Sequence, residues 1–248
     1  MTEILNFLNG KSLYLLYKLL DFEKIFCVAD QDSITFICVN DQSNIRICFY
    51  PVITRYFFET DTKDKWKYSY VFDSKDIKRS IAWFKNKSDA NMNQNLAFKF
   101  ADDNIKINNK FVNTKLETII QKPDVPIIPE MKNGVSAQIR NIKDMKSQIL
   151  SISEEVIQVT LTESDLIISG KQSIFPEYPI KVSDTKLNDD LMKEYKTSCY
   201  KHILKISCEL AYEANILSPE LRFYPGGATQ LYGRKNEILF RSLLVAVK

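Results

Sequence analysis

Glycine is scarce in this chain, with six in 248 residues, and no stretch is low in complexity. With 45% hydrophobic residues there is enough apolar material for a core, so wholesale disorder is not expected. Histidine is scarcer still. The single one, His202, has no Cys or carboxylate at ligand spacing, so neither a metal site nor a catalytic base is expected there. The G-x-S-x-G and G-x-x-x-x-G-K-[ST] patterns are absent. Gly226-Gly227 precedes Ala228–Tyr232 in a hairpin setting, not in a strand-to-helix phosphate loop. No window approaches the ~18 uninterrupted apolar residues of a transmembrane helix, and Met1–Gly10 lacks the basic start and apolar core of a signal peptide. The five cysteines (Cys27, Cys38, Cys48, Cys199 and Cys208) are odd in number and form no CxxC. Reduced, buried thiols in an intracellular protein are the expectation. No catalytic residue, metal or cofactor is expected. Acidic pairs such as Glu154-Glu155 and Asp189-Asp190 fall at turns and read as solvated. A metal-dependent nuclease stays open as an alternative, because its carboxylates need not be close in sequence.

Charge of one sign is lacking too: 34 Lys and Arg stand against 31 Asp and Glu, a net charge of +3. Any basic surface must therefore come from segregating charges.

What the chain does have is one Pro-rich interruption close to its midpoint, Lys122-Pro123-Asp124-Val125-Pro126-Ile127-Ile128-Pro129. Prolines this close forbid a helix and cannot sit in a central strand. The halves on either side read in the same order. Leu13, Leu16, Tyr17 and Leu20 give a helix, followed by strand-like Lys24–Ala29, a polar turn and Ser33–Val39. Ile142, Met145 and Ile149 give its counterpart, followed by Glu155–Leu161, an acidic turn and Asp165–Ser169. Later in each half a second helix is expected: Ile77, Ile81 and Phe84 with Ser74 as N-cap, and Ile203, Ile206 and Leu210. β-rich runs surround them at 67–72, 95–101, 110–120, 173–182, 220–224 and 237–247. The fold class is α+β: two similar domains, each with two short helices packed on a largely antiparallel sheet. The boundaries are 1–121, a connector 122–133, and 134–248.

The faces of these helices away from the core carry lysine. Lys11 and Lys18 lie on the first, Lys75, Lys78, Arg79 and Lys85 on the second, Lys143 and Lys146 on the third, and Lys201 and Lys205 on the fourth. Any soluble helix needs a charged outer face, and lysine is the commonest choice. Four repeats with few matching acids also suit sequence-independent contact with phosphates. Lysine, a mobile point charge, suits a surface past which DNA slides.

The doubled helix–hairpin unit with its Pro-containing crossover resembles the sliding-clamp superfamily typified by proliferating cell nuclear antigen (PCNA). Ile128-Pro129-Glu130 looks like that family's interdomain connector and Leu243–Lys248 like its terminal strand. Within the superfamily the resemblance is to the Rad-one subunit of the checkpoint clamp, the heterotrimer called nine-one-one. It rests on Leu19–Ala29 with Ile34–Phe36, on Glu155–Thr160 and on Asp190–Tyr195. The glycine-containing first hairpin of replicative clamps is absent, and residues 51–66 match nothing in the family.

The resemblance implies a non-enzymatic ring subunit in the nucleus that encircles double-stranded DNA without sequence preference. Its implied partners are two other clamp-like subunits, a clamp loader and repair or checkpoint proteins, with no membrane. It also implies that the helices line the hole and that edge strands join the subunits. One edge would carry Phe111, Val112, Thr114 and Leu116, and the other Ile174, Tyr178 and Ile180. Val125, Ile127 and Ile128 could line a pocket for partner peptides or simply pack the connector on its own domain. A divergent homotrimeric replicative clamp is the alternative.

Overall fold

The computed structural model describes residues 2–9, 24–30, 33–40, 42–49, 56–57, 67–75, 95–100, 104–108, 113–117, 120–121, 135–170, 179–186, 194–224, 226–235 and 238–247. The chain divides into two compact units, Met1–Val39 with Arg46–Pro126, and Asn40–Ile45 with Ile127–Lys248.

The first unit holds β1 (Thr2–Asn9), β2 (Lys24–Asp30), β3 (Ile34–Asn40), β5 (Tyr56–Phe57), β6 (Lys67–Asp73), β7 (Asn95–Phe100), β8 (Asn104–Asn108), β9 (Asn113–Glu117) and β10 (Ile120–Gln121). β4 (Ser43–Phe49) is divided between the two units. One antiparallel sheet runs β5-β1-β7-β8-β9, and β10-β6-β2-β3 form another series. Strict alternation drives β2: Ile25, Cys27 and Ala29 are buried while Phe26 and Val28 are not fully so. Its hairpin to β3 is closed by Asp30, whose carboxylate accepts from the Ser33 N–H at 2.8 Å.

One expectation changes here. The helical turn at Ser74 and Lys75 is capped by Asp73, not Ser74, because the Asp73 carboxylate accepts from the Lys75 N–H at 2.7 Å. The helix expected over Lys11–Leu20 and the one through Ile77, Ile81 and Phe84 lie outside the described residues.

The second unit runs β11 (Val135–Ile139), α1 (Ile142–Ser151), β12 (Val156–Thr162), β13 (Asp165–Gly170), β14 (Ile180–Lys186), β15 (Glu194–Tyr200), α2 (Lys201–Glu213), β16 (Glu220–Phe223), β17 (Thr229–Lys235) and β18 (Ile238–Leu244). Its strands follow one another as β18-β17-β16-β11-β14-β13-β12-β15, each pair antiparallel. The turn between β12 and β13 is pinned by Asp165, which accepts from Lys181 Nζ at 2.7 Å and Ser164 Oγ at 2.6 Å. Those two hydrogen bonds hold its carboxyl below the ordinary range. The β16–β17 turn uses Gly226 and Gly227 at φ of 90° and 87°, a left-handed backbone that side chains resist.

The pairing pattern of the first unit recurs in the second. β2 lies between β3 and β6 as β12 lies between β13 and β15. The β1-β7-β8-β9 series recurs as β11-β16-β17-β18.

The core of the second unit lies between its helices and its sheet. α1 buries Ile142, Met145 and Ile149, the face its spacing predicts. α2 departs from expectation: its buried residues are Ile203, Leu204, Ser207, Cys208, Leu210 and Ala211, and Ile206 is only half-buried. The helix packs on both α1 and the sheet, so it buries nearly half its circumference and the centre of that face lies away from Ile206. All five cysteines are buried free thiols.

Candidate nucleic-acid interface

Two helices side by side present the lysines of the second unit. Asn141 starts α1, its side chain accepting from the Lys143 N–H at 3.0 Å. Asp144 in the first turn complements the helix dipole. The first N–H of α1, on Ile142, donates to the Leu217 carbonyl at 2.9 Å. α2 has no side-chain cap; the Lys201 N–H donates instead to the Glu155 carbonyl at 2.7 Å. Backbone bonds from other segments thus satisfy donors that a helix start leaves over, and they fix where each helix begins.

From these starts the basic side chains take different positions. Lys143 is exposed, with Nζ 5.5 Å from the centre of the Tyr212 ring. Lys146 lies 5.8 Å from the same ring and pairs with Glu209 at 3.7 Å. Lys201 Nζ donates to the Ile152 carbonyl at the end of α1. Lys205 is half-buried on the outer side of α2, one turn beyond Lys201. The expected lysine pairs are therefore brought together, yet they are not equivalent. Lys201 caps α1, Lys146 is partly neutralised, and Lys143 and Lys205 present their charge outward. Lys75 is exposed in the first unit, whereas Lys11, Lys18, Lys78, Arg79 and Lys85 lie outside the described residues.

Sequence reading missed Glu209 and Tyr212. Glu209 lies one turn beyond Lys205 on the outer side of α2, but only the packing of α1 against α2 shows that it meets Lys146. The two helices carry four lysines against Asp144, Glu209 and Glu213, so their outer surface is only mildly basic. Lys201 and His202 open α2 with no acid in its first turn. That arrangement works against the helix dipole, where a helix built for stability alone would carry Asp or Glu. Among the described residues no three His, Cys, Asp or Glu side chains gather as a metal site.

The expected subunit edges separate. Thr114 and Leu116 lie on β9, which ends its sheet and among the described residues pairs only with β8. Ile180 opens β14, which is an interior strand of the sheet, not its edge. Ile180 and Lys181 pair with β13, and Val182, Ser183 and Lys186 pair with β11. The ladder past Val182 is thus already occupied, and Pro179 just before the strand has no N–H to donate. Phe111, Val112, Ile174, Tyr178, Val125, Ile127 and Ile128 lie outside the described residues.

No protein-family model and no curated protein matches this sequence. Solved structures do match. PCNA from Thermococcus kodakaraensis aligns over 100% of both chains at 14% identity, with a TM-score of 0.73. The Helicobacter pylori beta clamp aligns over 100% of this chain and 66% of its own, at 11% identity and a TM-score of 0.72. PCNA of A. fulgidus, solved with the C-terminal region of FEN-1, aligns over 100% and 99%, at 12% identity and a TM-score of 0.70. The fold is that of the sliding clamps. It comprises mostly antiparallel sheet, and the sequence similarity beneath it is slight.

Proposed function

We propose that this chain is one subunit of a ring-shaped sliding clamp, a non-enzymatic protein that encircles duplex DNA and holds other proteins there. The observation that carries this reading is the match to an archaeal PCNA over the whole of both chains. The lysines of α1 and α2 are consistent with it, since contact with phosphates alone lets a protein move along the duplex. The domains would be residues 1–121 and 134–248, with the Pro-rich stretch between them as connector. The partner chemistry follows the same analogy: sequence-independent duplex DNA, a loader that opens the ring, and repair or checkpoint proteins in the nucleus.

The finer reading is a subunit of the heterotrimeric DNA-damage checkpoint clamp. A homotrimer needs an edge that fits the opposite edge of an identical copy. Here β9 ends its sheet and pairs only with β8 among the described residues, but β14 has most of its length already paired and Pro179 at its start. Poor self-fit is what a subunit with two unlike neighbours requires. Light scattering on a sizing column tests this: the lone chain is expected at its own 28.8 kDa, assembling only with two other clamp-like chains. A stable trimer of the lone chain would leave the homotrimeric replicative clamp as the better reading.

A further inference from the structure

We propose that the sheet face of the second unit turned away from the helices is a docking surface for an acidic, Asp- and Glu-rich segment of a partner protein. The register of β16, β17 and β18 sorts their side chains into two faces. Leu221, Leu231 and Ser242 are aligned across the three strands, and Ser242 touches Ser207 of α2, so that row faces the helices. Glu220, Tyr232 and Arg241 form the next row, on the opposite face, with Arg222 and Arg234 two residues along their strands. The chain has only seven arginines among its 34 basic residues, and three of them are on this face.

Tyr232 organises them. The Arg222 guanidinium lies 4.3 Å from the centre of its ring and that of Arg241 lies 5.5 Å away. Cation–π contact orients both planes and leaves their N–H edges to meet an anion. Glu220 takes one of these sites, its carboxylate accepting from Arg222 Nη2 at 2.6 Å. Arg241 has no such carboxylate among the described residues, and its buried Nε finds no hydrogen-bond acceptor. That buried N–H is a standing cost that an incoming ligand does not reach; a carboxylate from solvent meets the part of this half-buried guanidinium that remains exposed.

The chemistry selects the occupant. A planar guanidinium fork matches a carboxylate in a way that a lysine ammonium does not. The Glu220–Arg222 contact shows a carboxylate seated in this setting, and a second one on Arg241 would repeat it. Among the described residues of these rows, arginines outnumber carboxylates. The half-buried Leu239 and Leu243 flank it and offer apolar contact to a peptide backbone. A duplex lying against the lysines of α1 and α2 is separated from this face by a helix layer about 10 Å thick plus the sheet. Both ligands can therefore be held at once.

The test is fluorescence anisotropy of a labelled oligo-(Glu-Ala) peptide with the full-length chain, beside an oligo-(Gln-Ala) control. The Glu peptide is expected to bind and the Gln peptide not. R241Q is expected to weaken binding about tenfold, the usual scale for losing a charge-assisted hydrogen bond. R241K, which keeps the charge and disturbs the packing least, is expected to weaken it several-fold. K196Q, a charge change on β15 and outside these rows, is expected to leave it unchanged. Equal binding of the two peptides, unchanged affinity in R241Q and R241K, or an equal loss in K196Q would overturn the proposal. So would displacement of the peptide by a short DNA duplex, which would make nucleic acid the ligand of this face. None of these outcomes depends on ring formation, so the proposal can fail while the clamp reading stands.

Discussion

Ser207 and Ser242 are both fully buried, and their hydroxyls lie 2.6 Å apart where α2 meets β18. Ser207 Oγ also donates to the Ile203 carbonyl at 2.8 Å, one turn back in its own helix. Its single proton is therefore committed, and Ser242 must donate to Ser207. The two alanine variants are then unequal. Ser207→Ala strands the Ser242 hydroxyl and is expected to cost about 1–3 kcal/mol, whereas Ser242→Ala leaves Ser207 satisfied and costs less. Urea unfolding of both variants checks the order, and equal losses would contradict it. The thiols behave as a group. Burial pushes the Cys199 thiol up to about 12 and raises Cys27, Cys38 and Cys208 as well. All stay protonated where an unfolded thiol, with a pKa of about 8.5, has begun to ionise. Above that value the unfolded chain binds fewer protons than the folded one, so stability falls as pH rises from there toward the folded values. These four thiols are expected to resist alkylation at neutral pH until the chain is unfolded. Rapid labelling of native protein at any of them would contradict their burial.

At the scale of elements, locally determined features were the legible ones. The runs Glu155–Leu161 and Asp165–Ser169 lie within a residue of β12 and β13, because alternation and an acidic turn suffice to specify a hairpin. The α1 face was legible for the same reason, since one apolar stripe meets one surface. α2 meets two surfaces, and a single stripe through Ile206 could not represent it. β11 alternates (Val135-Ser136-Ala137-Gln138-Ile139) but over only five residues, and the first residues of β1 alternate little; both are held as strands by pairing with β16 and β7, far along the chain. The same limit applies to the candidate interface. Sequence placed Lys143, Lys146, Lys201 and Lys205 outward, but not the carboxylate and carbonyl that engage two of them. That difference yields a prediction in both directions. Replacing Lys143 and Lys205 by Gln is expected to weaken duplex binding and to reduce its salt slope by about two. Glu209→Gln releases Lys146 and is expected to strengthen binding, steepening the slope by about one. Anisotropy of a labelled duplex across a salt series measures both. No change in slope for either variant would remove these helices from the DNA path.

At the scale of the whole molecule, retention on DNA by the proposed clamp would come from topology rather than from charge. A net charge of +3, with nearly as many acids as lysines on α1 and α2, does not hold DNA tightly by attraction alone. A ring does not need to, because a closed loop is retained by its linkage to the duplex and not by affinity. The most direct measurement therefore compares DNA shapes. The chain, assembled with the clamp-like subunits it requires and loaded onto nicked circular duplex, is washed at a salt concentration that strips charge-bound protein. The circles are then cut once. The protein is expected to stay on intact circles through the wash and to be lost when they are linearised. Equal retention on circles and linear duplex, or equal loss from both, would contradict it.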